Sequence, residues 1–177
     1  MDPIHLMGEH SMLPLHINVK NRPVLVVGGG KIAYRRLILF LEEGAKVTVV
    51  SPNIIKDIED LYYKKLISWQ QKKVELSDLQ NAFIIIAATN DPAINEWVAA
   101  NVNDFQLVNV ASNMTKGNFI VPKSVKKGRL SISVSTNGAS PKRAKEICEQ
   151  LASQFDEEQI EELDRLFEQR QQKKQQK

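Results

Sequence analysis

Val24-Leu25-Val26-Val27-Gly28-Gly29-Gly30-Lys31-Ile32-Ala33 runs from four aliphatic residues through three glycines into a helical pattern. A short, continuous, β-branched run of this kind marks a strand buried on both faces. After the glycines, Ile32, Ala33, Leu37, Phe40 and Leu41 recur at helical spacing, and Gly44 stands where a helix C-cap belongs. Strand, glycine turn and helix in this order open a βαβ unit.

The same grammar continues downstream. Val47-Thr48-Val49-Val50 predicts a second buried strand, closed by Ser51-Pro52, and residues 53–65 read as a helix carrying Ile55, Ile58, Leu61 and Tyr62. Ile67-Ser68-Trp69 predicts a short third strand and residues 83–88 a fourth. Thr89-Asn90-Asp91-Pro92 then leads into a helix through Ile94, Trp97 and Val98, and Leu107-Val108-Asn109-Val110 is a fifth strand. Strands alternating with crossover helices give an α/β fold, a Rossmann-like parallel sheet with helices on both faces. The pattern then changes. Phe119-Ile120-Val121-Pro122 and residues 130–135 read as two strands, joined by a turn at Lys126-Lys127-Gly128-Arg129. A lone hairpin buries too little core to stand by itself, so it must pack on the parallel domain or on another subunit. Ser140-Pro141 starts a helix with serine as N-cap and proline at N1, its apolar stripe Ala144, Ile147, Cys148, Leu151 and Phe155. A last amphipathic segment holds Ile160, Leu163, Leu166 and Phe167. The expected organisation is an extension at 1–11, a dinucleotide-binding domain at 12–112, a hairpin region at 113–140 and C-terminal helices with a basic tail at 141–177.

Composition narrows the function. The 177 residues are 42% hydrophobic and 25% charged, an ordinary globular balance. The net charge of +3 is accounted for by Lys173, Lys174 and Lys177 in the terminal segment. A body without charge excess is a poor nucleic-acid platform, since phosphate neutralisation needs clustered cations. No apolar run approaches the ~18–20 residues that span a bilayer, and the first segment lacks the pattern of a secretory signal. One cysteine, Cys148, cannot form an internal disulfide, and the three histidines, His5, His10 and His16, lie in one segment without ligand spacing. No nucleic acid, no membrane and no resident metal are expected, and the cytoplasm is the expected compartment.

Gly28-Gly29-Gly30-Lys31-Ile32-Ala33 fits G-x-G-x-x-A in its required context, after a strand and opening a helix. Gly28 would make the tight turn, Gly30 would admit the pyrophosphate, and Ala33 would let the helix pack on the sheet. The helix N-terminus would attract the phosphates. An acidic residue ordinarily ends the second strand to hold the adenine ribose; here Ser51-Pro52 stands there, and Ser51 can donate to and accept from a ribose hydroxyl. No arginine follows closely to hold a 2′-phosphate, which favours NAD over NADP. Thr89 and Asn90 fall at the end of the fourth strand, beside the expected nicotinamide half of the crevice.

Four stretches carry a family resemblance: residues 28–36, Ala87-Ala88-Thr89-Asn90-Asp91, Phe119-Ile120-Val121-Pro122, and residues 133–141 with their S-T-x-G-x-S-P pattern. In this order they resemble the precorrin-2 dehydrogenase module of siroheme synthases, over about residues 12–155. The resemblance implies NAD-dependent oxidation of precorrin-2 to sirohydrochlorin, in a homodimer whose hairpin regions exchange between subunits. Family members usually carry N-V-V-D after the fifth strand, the aspartate acting in dehydrogenation and, in bifunctional members, iron insertion. Here the stretch is Asn109-Val110-Ala111-Ser112, so Ser112 is the catalytic candidate at the aspartate position. An unassisted hydroxyl is a poor proton acceptor near neutral pH, which puts chelation more in doubt than oxidation, because hydride transfer rests on juxtaposing the reactants. The shorter helical region after Pro141 gives the look of a stand-alone dehydrogenase. For the tetrapyrrole carboxylates, Asn109, Ser135, Thr136, Asn137, Ser140 and Lys142 are the candidate ligands, with Lys123, Lys126, Lys127, Arg129, Arg143 and Lys145 as further cations. Two other readings compete. A nucleotide-sensing regulatory module would share the glycine turn but has no use for the S-T-x-G-x-S-P segment. A dimerisation module without catalysis is motivated by Ser112.

Overall fold

The computed structural model describes residues 12–175 and divides the chain into two compact units, meeting at Ile120 and Val121. The proposed extension at 1–11 lies outside the described residues.

The first unit is built on β1 (Pro23–Val27), β2 (Lys46–Val50), β3 (Ser68–Gln70), β4 (Ile84–Ala87) and β5 (Leu107–Val110). All pair in parallel in the order β3-β2-β1-β4-β5. The helices are α1 (Lys31–Glu42), α2 (Lys56–Tyr63), α3 (Leu76–Leu79) and α4 (Pro92–Ala100). Two-sided burial is why the strands read as unbroken aliphatic runs: Val24, Leu25, Val26 and Val27 are all buried, as are Ile84, Ile85 and Ile86. On one face Leu25, Val27, Ile85, Ala87, Val108 and Val110 form a core cluster with Leu79 and Val98, and Ile94 packs against it. The alternate positions, Val24, Val26, Val49 and Ile86, face the other side. Right-handed crossovers from β1 and from β4 run in opposite directions across the sheet, which puts helices on both faces.

The second unit is an antiparallel hairpin, β6 (Lys123–Lys127) and β7 (Leu130–Val134), with α5 (Pro141–Ala152) and α6 (Glu157–Gln175). Its turn is the pair Gly128-Arg129, with the positive φ of 52° on glycine alone, as at the first central position of a type II′ turn. The Lys127 ammonium donates to the Ala152 and Phe155 carbonyls at 2.8 and 2.9 Å, closing the carboxyl end of α5.

Several element boundaries depart from the sequence reading. Residues 119–122 are not a strand. The Asn118 and Phe119 amides both donate to the Val108 carbonyl, and the Asn118 side chain bridges the Val108 amide and the Gln106 carbonyl. Asn118 and Phe119 therefore lie along the open edge of β5, and the hairpin begins after Pro122, which lacks an amide to pair. Residues 53–55 stay out of α2 because the Asn53 carbonyl accepts from the Ser51 hydroxyl and the Ile55 amide donates to Gly29. The buried face of α5 is Ala144, Cys148 and Ala152, one residue every helical turn, while Leu151 is exposed. Small side chains let the helix approach the hairpin, where Cys148 Sγ lies 3.6 Å from the Lys123 carbonyl. Finally, α6 continues through Gln175, so most of the basic tail is an exposed helix.

Candidate functional site

The order of the sheet reverses at β1, whose neighbours are β2 and β4. Beyond the carboxyl ends of β1 and β4 the chain turns away in two directions, which opens a crevice at that edge. Three loops line it.

The first loop is Gly28-Gly29-Gly30, and its glycines are there for different reasons. A Cβ on Gly28, whose φ is 124°, would stand 2.4 Å from the Ala88 carbonyl oxygen. A Cβ on Gly29 would stand 2.0 Å from the Asn53 carbonyl oxygen. Both positions are imposed by neighbouring backbone, whatever binds in the crevice. Gly30 differs: its φ and ψ of −94° and −174° suit any residue, and nothing lies within 4 Å of its missing Cβ. It is the N-cap of α1, with no side-chain cap and no acidic residue in the first turn. The amides of Lys31, Ile32 and Ala33 have no intrahelical acceptors. Bare N–H groups, a positive helix end and open space fit the pyrophosphate of a dinucleotide. Lys31 and Ile32 are exposed on the first turn of this helix and Ala33 is buried beneath it. Farther along α1, Arg36 is half-buried; burial first, then the neighbouring Arg35, push its guanidinium below the ordinary arginine value.

The second loop follows β2. Ser51 is buried, and its hydroxyl donates to the Asn53 carbonyl at 2.7 Å. Its carbonyl accepts from Trp69 Nε1 at 3.0 Å and its amide donates to Gln70 at 3.2 Å. The Ser51 hydroxyl oxygen keeps only an accepting role, narrower than the sequence suggested, and Pro52 beside it is exposed. Lys56, the next cation along the chain, is committed elsewhere: hydrogen bonds to Glu59 and then Asp60 raise its ammonium to about 12.

The third loop, after β4, holds Thr89 and Asn90 and is organised by a residue that sequence reasoning missed. Asn95 on α4 is only 1% exposed. Its Oδ1 accepts from the Thr89 amide at 3.0 Å and lies 2.9 Å from Thr89 Oγ1. Its Nδ2 donates to the Thr89 carbonyl at 3.1 Å and reaches Ser112 Oγ at 3.5 Å. The available signal was slight, an amide directly after Ile94 on a helix whose apolar positions are Ile94, Trp97 and Val98. Asn90 is exposed, and Asp91 beside it caps α4 by accepting from the Ala93 amide. Asn109, buried on β5, donates from Nδ2 to the Phe119 carbonyl at 3.1 Å. Its Oδ1 is an unpartnered buried acceptor among the described residues, an arrangement that is expensive unless a ligand or water completes it. The side chains joined around Asn95 are one amide and two hydroxyls. They can orient a reactant; none can take a proton near neutral pH.

In the second unit the candidate substrate ligands form the turn into α5. Thr136 Oγ1 accepts from the Ser140 amide and donates to the Ser140 carbonyl, both at 3.1 Å. Ser140 Oγ accepts from the Arg143 amide as N-cap, and Ser135 Oγ accepts from the Asn137 amide. Asn137 and Gly138 take positive φ, 47° and 83°. The hydroxyls here hold the loop; exposed Lys142 makes no ion pair among the described residues. Among those residues no group of three or more metal-binding side chains exists, and no helix is long and apolar enough to cross a membrane.

Known proteins resemble this chain over most of its length. A family model described as "Putative NAD(P)-binding" matches residues 15–123, and one described as "Sirohaem biosynthesis protein central" matches residues 127–154. The precorrin-2 dehydrogenase of Bacillus subtilis (strain 168) is 43% identical over 162 residues, covering 92% of this chain and 100% of that protein. The precorrin-2 dehydrogenase of Priestia megaterium is 45% identical over 146 residues, 82% of this chain and 72% of that one. Among solved structures, a protein titled SirC, precorrin-2 dehydrogenase, superposes with a TM-score of 0.76 at 43% identity, covering 89% of this chain and 78% of that one.

Proposed function

This chain belongs to the precorrin-2 dehydrogenase family, and on that premise we propose that it oxidises precorrin-2 to sirohydrochlorin, in siroheme biosynthesis, with NAD as the hydride acceptor. The observation that carries the reading is the uncapped, open N-terminus of α1 at Gly30, set at the switch point of the sheet. With the dinucleotide's pyrophosphate held there, its nicotinamide would supply the hydride acceptor, and the protein need supply no redox group of its own.

The residues divide the remaining work. Gly30 and the amides of Lys31, Ile32 and Ala33 hold the pyrophosphate. Ser51 accepts from the adenine ribose, beside Pro52. That acceptor suits a 2′-hydroxyl, which donates, and opposes a 2′-phosphate, which has nothing to donate; this favours NAD over NADP. Thr89 and Asn90 border the nicotinamide half. Asn109 offers its unpartnered Oδ1 to a donor on the ligand, and Ser112 a hydroxyl to the macrocycle. In the polar turn at the N-terminus of α5, Ser135 and Thr136 spend their hydroxyl protons on the loop itself, while Asn137, Ser140 and Lys142 keep donors for propionate and acetate carboxylates. Oxidation releases one hydride and one proton, and a substrate carboxylate or water can take the proton, so a neutral Ser112 suffices. Iron insertion asks for a base to strip pyrrolic nitrogens, which Ser112 does not provide.

With one face of the hairpin covered by α5, its other face is left to the second subunit of a homodimer. An enzyme is favoured over a regulatory module, because a nucleotide sensor has no need of the polar turn before α5. Initial rates of anaerobic precorrin-2 oxidation with NAD and with NADP test the reading. NAD should be preferred by at least tenfold in kcat/KM; equal or reversed preference removes the role given to Ser51.

A further inference from the structure

Asn95 breaks the local rule of its helix. An aliphatic residue at this almost fully buried position would pack against the core without the cost of burying an amide. Three of its side-chain hydrogen bonds go to Thr89, in the crevice loop after β4, and one goes to Ser112, two residues past the end of β5.

The direction of the amide is fixed by chemistry. The Thr89 backbone N–H can only donate, so the Asn95 atom 3.0 Å from it must be the oxygen. Nδ2 therefore faces the Thr89 carbonyl and Ser112 Oγ. Its contact with Ser112 is 3.5 Å, the outer reach of a hydrogen bond. Facing an N–H, the Ser112 oxygen accepts, and its own proton points elsewhere. Ser112 is exposed and has no other hydrogen bond among the described residues, so that proton is directed outward.

From this, and resting on the dehydrogenase reading above, we infer that Asn95 is a positioning residue: it locks the Thr89 peptide at the end of β4 and presents the Ser112 hydroxyl to the tetrapyrrole as a donor. The chemical group Ser112 addresses is then an acceptor on the substrate, a side-chain carboxylate or an unprotonated ring nitrogen. The same amide would donate to any oxygen standing at position 112, so it suits a serine or a carboxylate alike.

Asn95→Asp is the informative substitution. It keeps the shape and the acceptor for the Thr89 amide, removes both donors, and offers Ser112 an acceptor that turns its proton inward. Asn95→Ser, which also keeps an acceptor but cannot reach Ser112, serves if the first variant does not fold. Each is combined with Ser112→Ala in a double-mutant cycle, read as kcat, as KM for precorrin-2, as sirohydrochlorin affinity from the tetrapyrrole absorbance, and as melting temperature. Asn95→Asp should lower kcat, taken per folded molecule, tenfold or more and weaken sirohydrochlorin several-fold, with a lower melting temperature because a carboxylate is buried against the Thr89 carbonyl. Ser112→Ala should add almost nothing once Asn95 is changed. Additive effects of the two substitutions, or activity that follows only the folded fraction, would overturn the inference while leaving the dehydrogenase reading intact. A wild-type protein that neither oxidises precorrin-2 nor binds sirohydrochlorin overturns both.

Discussion

Gly30→Asp should separate binding from stability by moving them in opposite directions. Gly30 caps α1 in an extended conformation that any residue adopts, with nothing within 4 Å of the new Cβ. Aspartate is a better N-cap than glycine by a few tenths of a kcal/mol, and its charge at a helix N-terminus adds about 0.3–1 kcal/mol. The ligand-free protein should therefore melt at the wild-type temperature or slightly above it. Dinucleotide binding should collapse. The new carboxylate takes up first-turn amides that would otherwise serve phosphate, each such charge-assisted bond being worth about 1.5–3 kcal/mol. It also places a like charge within roughly 4–5 Å of the pyrophosphate, a repulsion of about 1–4 kcal/mol at a partly solvated site. Together these exceed about 3 kcal/mol, or at least roughly a hundredfold in Kd. Calorimetric titration with NAD beside a thermal melt reads both quantities. Unchanged affinity would refute the placement of the pyrophosphate, and a large fall in melting temperature would refute the claim that Gly30 is free of packing duty.

Gly29→Ala should do the reverse and destabilise the apo protein by about 1–3 kcal/mol, because its Cβ would sit 2.0 Å from the Asn53 carbonyl oxygen; denaturant titration checks this. Lys127→Met should cost about 1–2 kcal/mol by removing the two charged bonds that close α5, also read by denaturant. Ser112→Ala should slow precorrin-2 oxidation by less than about tenfold, or ~1.4 kcal/mol, and the native protein should insert iron into sirohydrochlorin no faster than the uncatalysed reaction. Clear chelatase activity would contradict the account of Ser112. Sedimentation at micromolar concentration should show a dimer; a clean monomer would remove the explanation offered for the hairpin.

The parallel sheet was legible because its strands are buried on both faces, which leaves the unbroken runs Val24–Val27 and Ile84–Ile86 in the sequence. The glycine turn was legible because three adjacent glycines between a strand and a helix have few structural uses. What the sequence could not show is how those glycines divide their work: only the loops after β2 and β4, brought in by folding, reveal that Gly28 and Gly29 make room for neighbouring backbone. Residues 119–122 look like a strand by composition, but Asn118 and Phe119 spend their hydrogen bonds on the edge of β5, a pairing that the local pattern does not encode. Asn95 escaped for the same reason. Its partners lie 6 and 17 residues away, on two different loops, and in sequence it is an ordinary polar residue on an amphipathic helix.

This chain passes a hydride from precorrin-2 to a nicotinamide. Purified protein, precorrin-2 and NAD, mixed without oxygen and followed across the near-ultraviolet and visible spectrum, test it directly. The sirohydrochlorin spectrum and the reduced-nicotinamide band should rise together in equimolar amounts, and Gly30→Asp should abolish both at cofactor concentrations saturating for wild type. Sirohydrochlorin formation at the rate of the protein-free control, or without matching reduced nicotinamide, would contradict it.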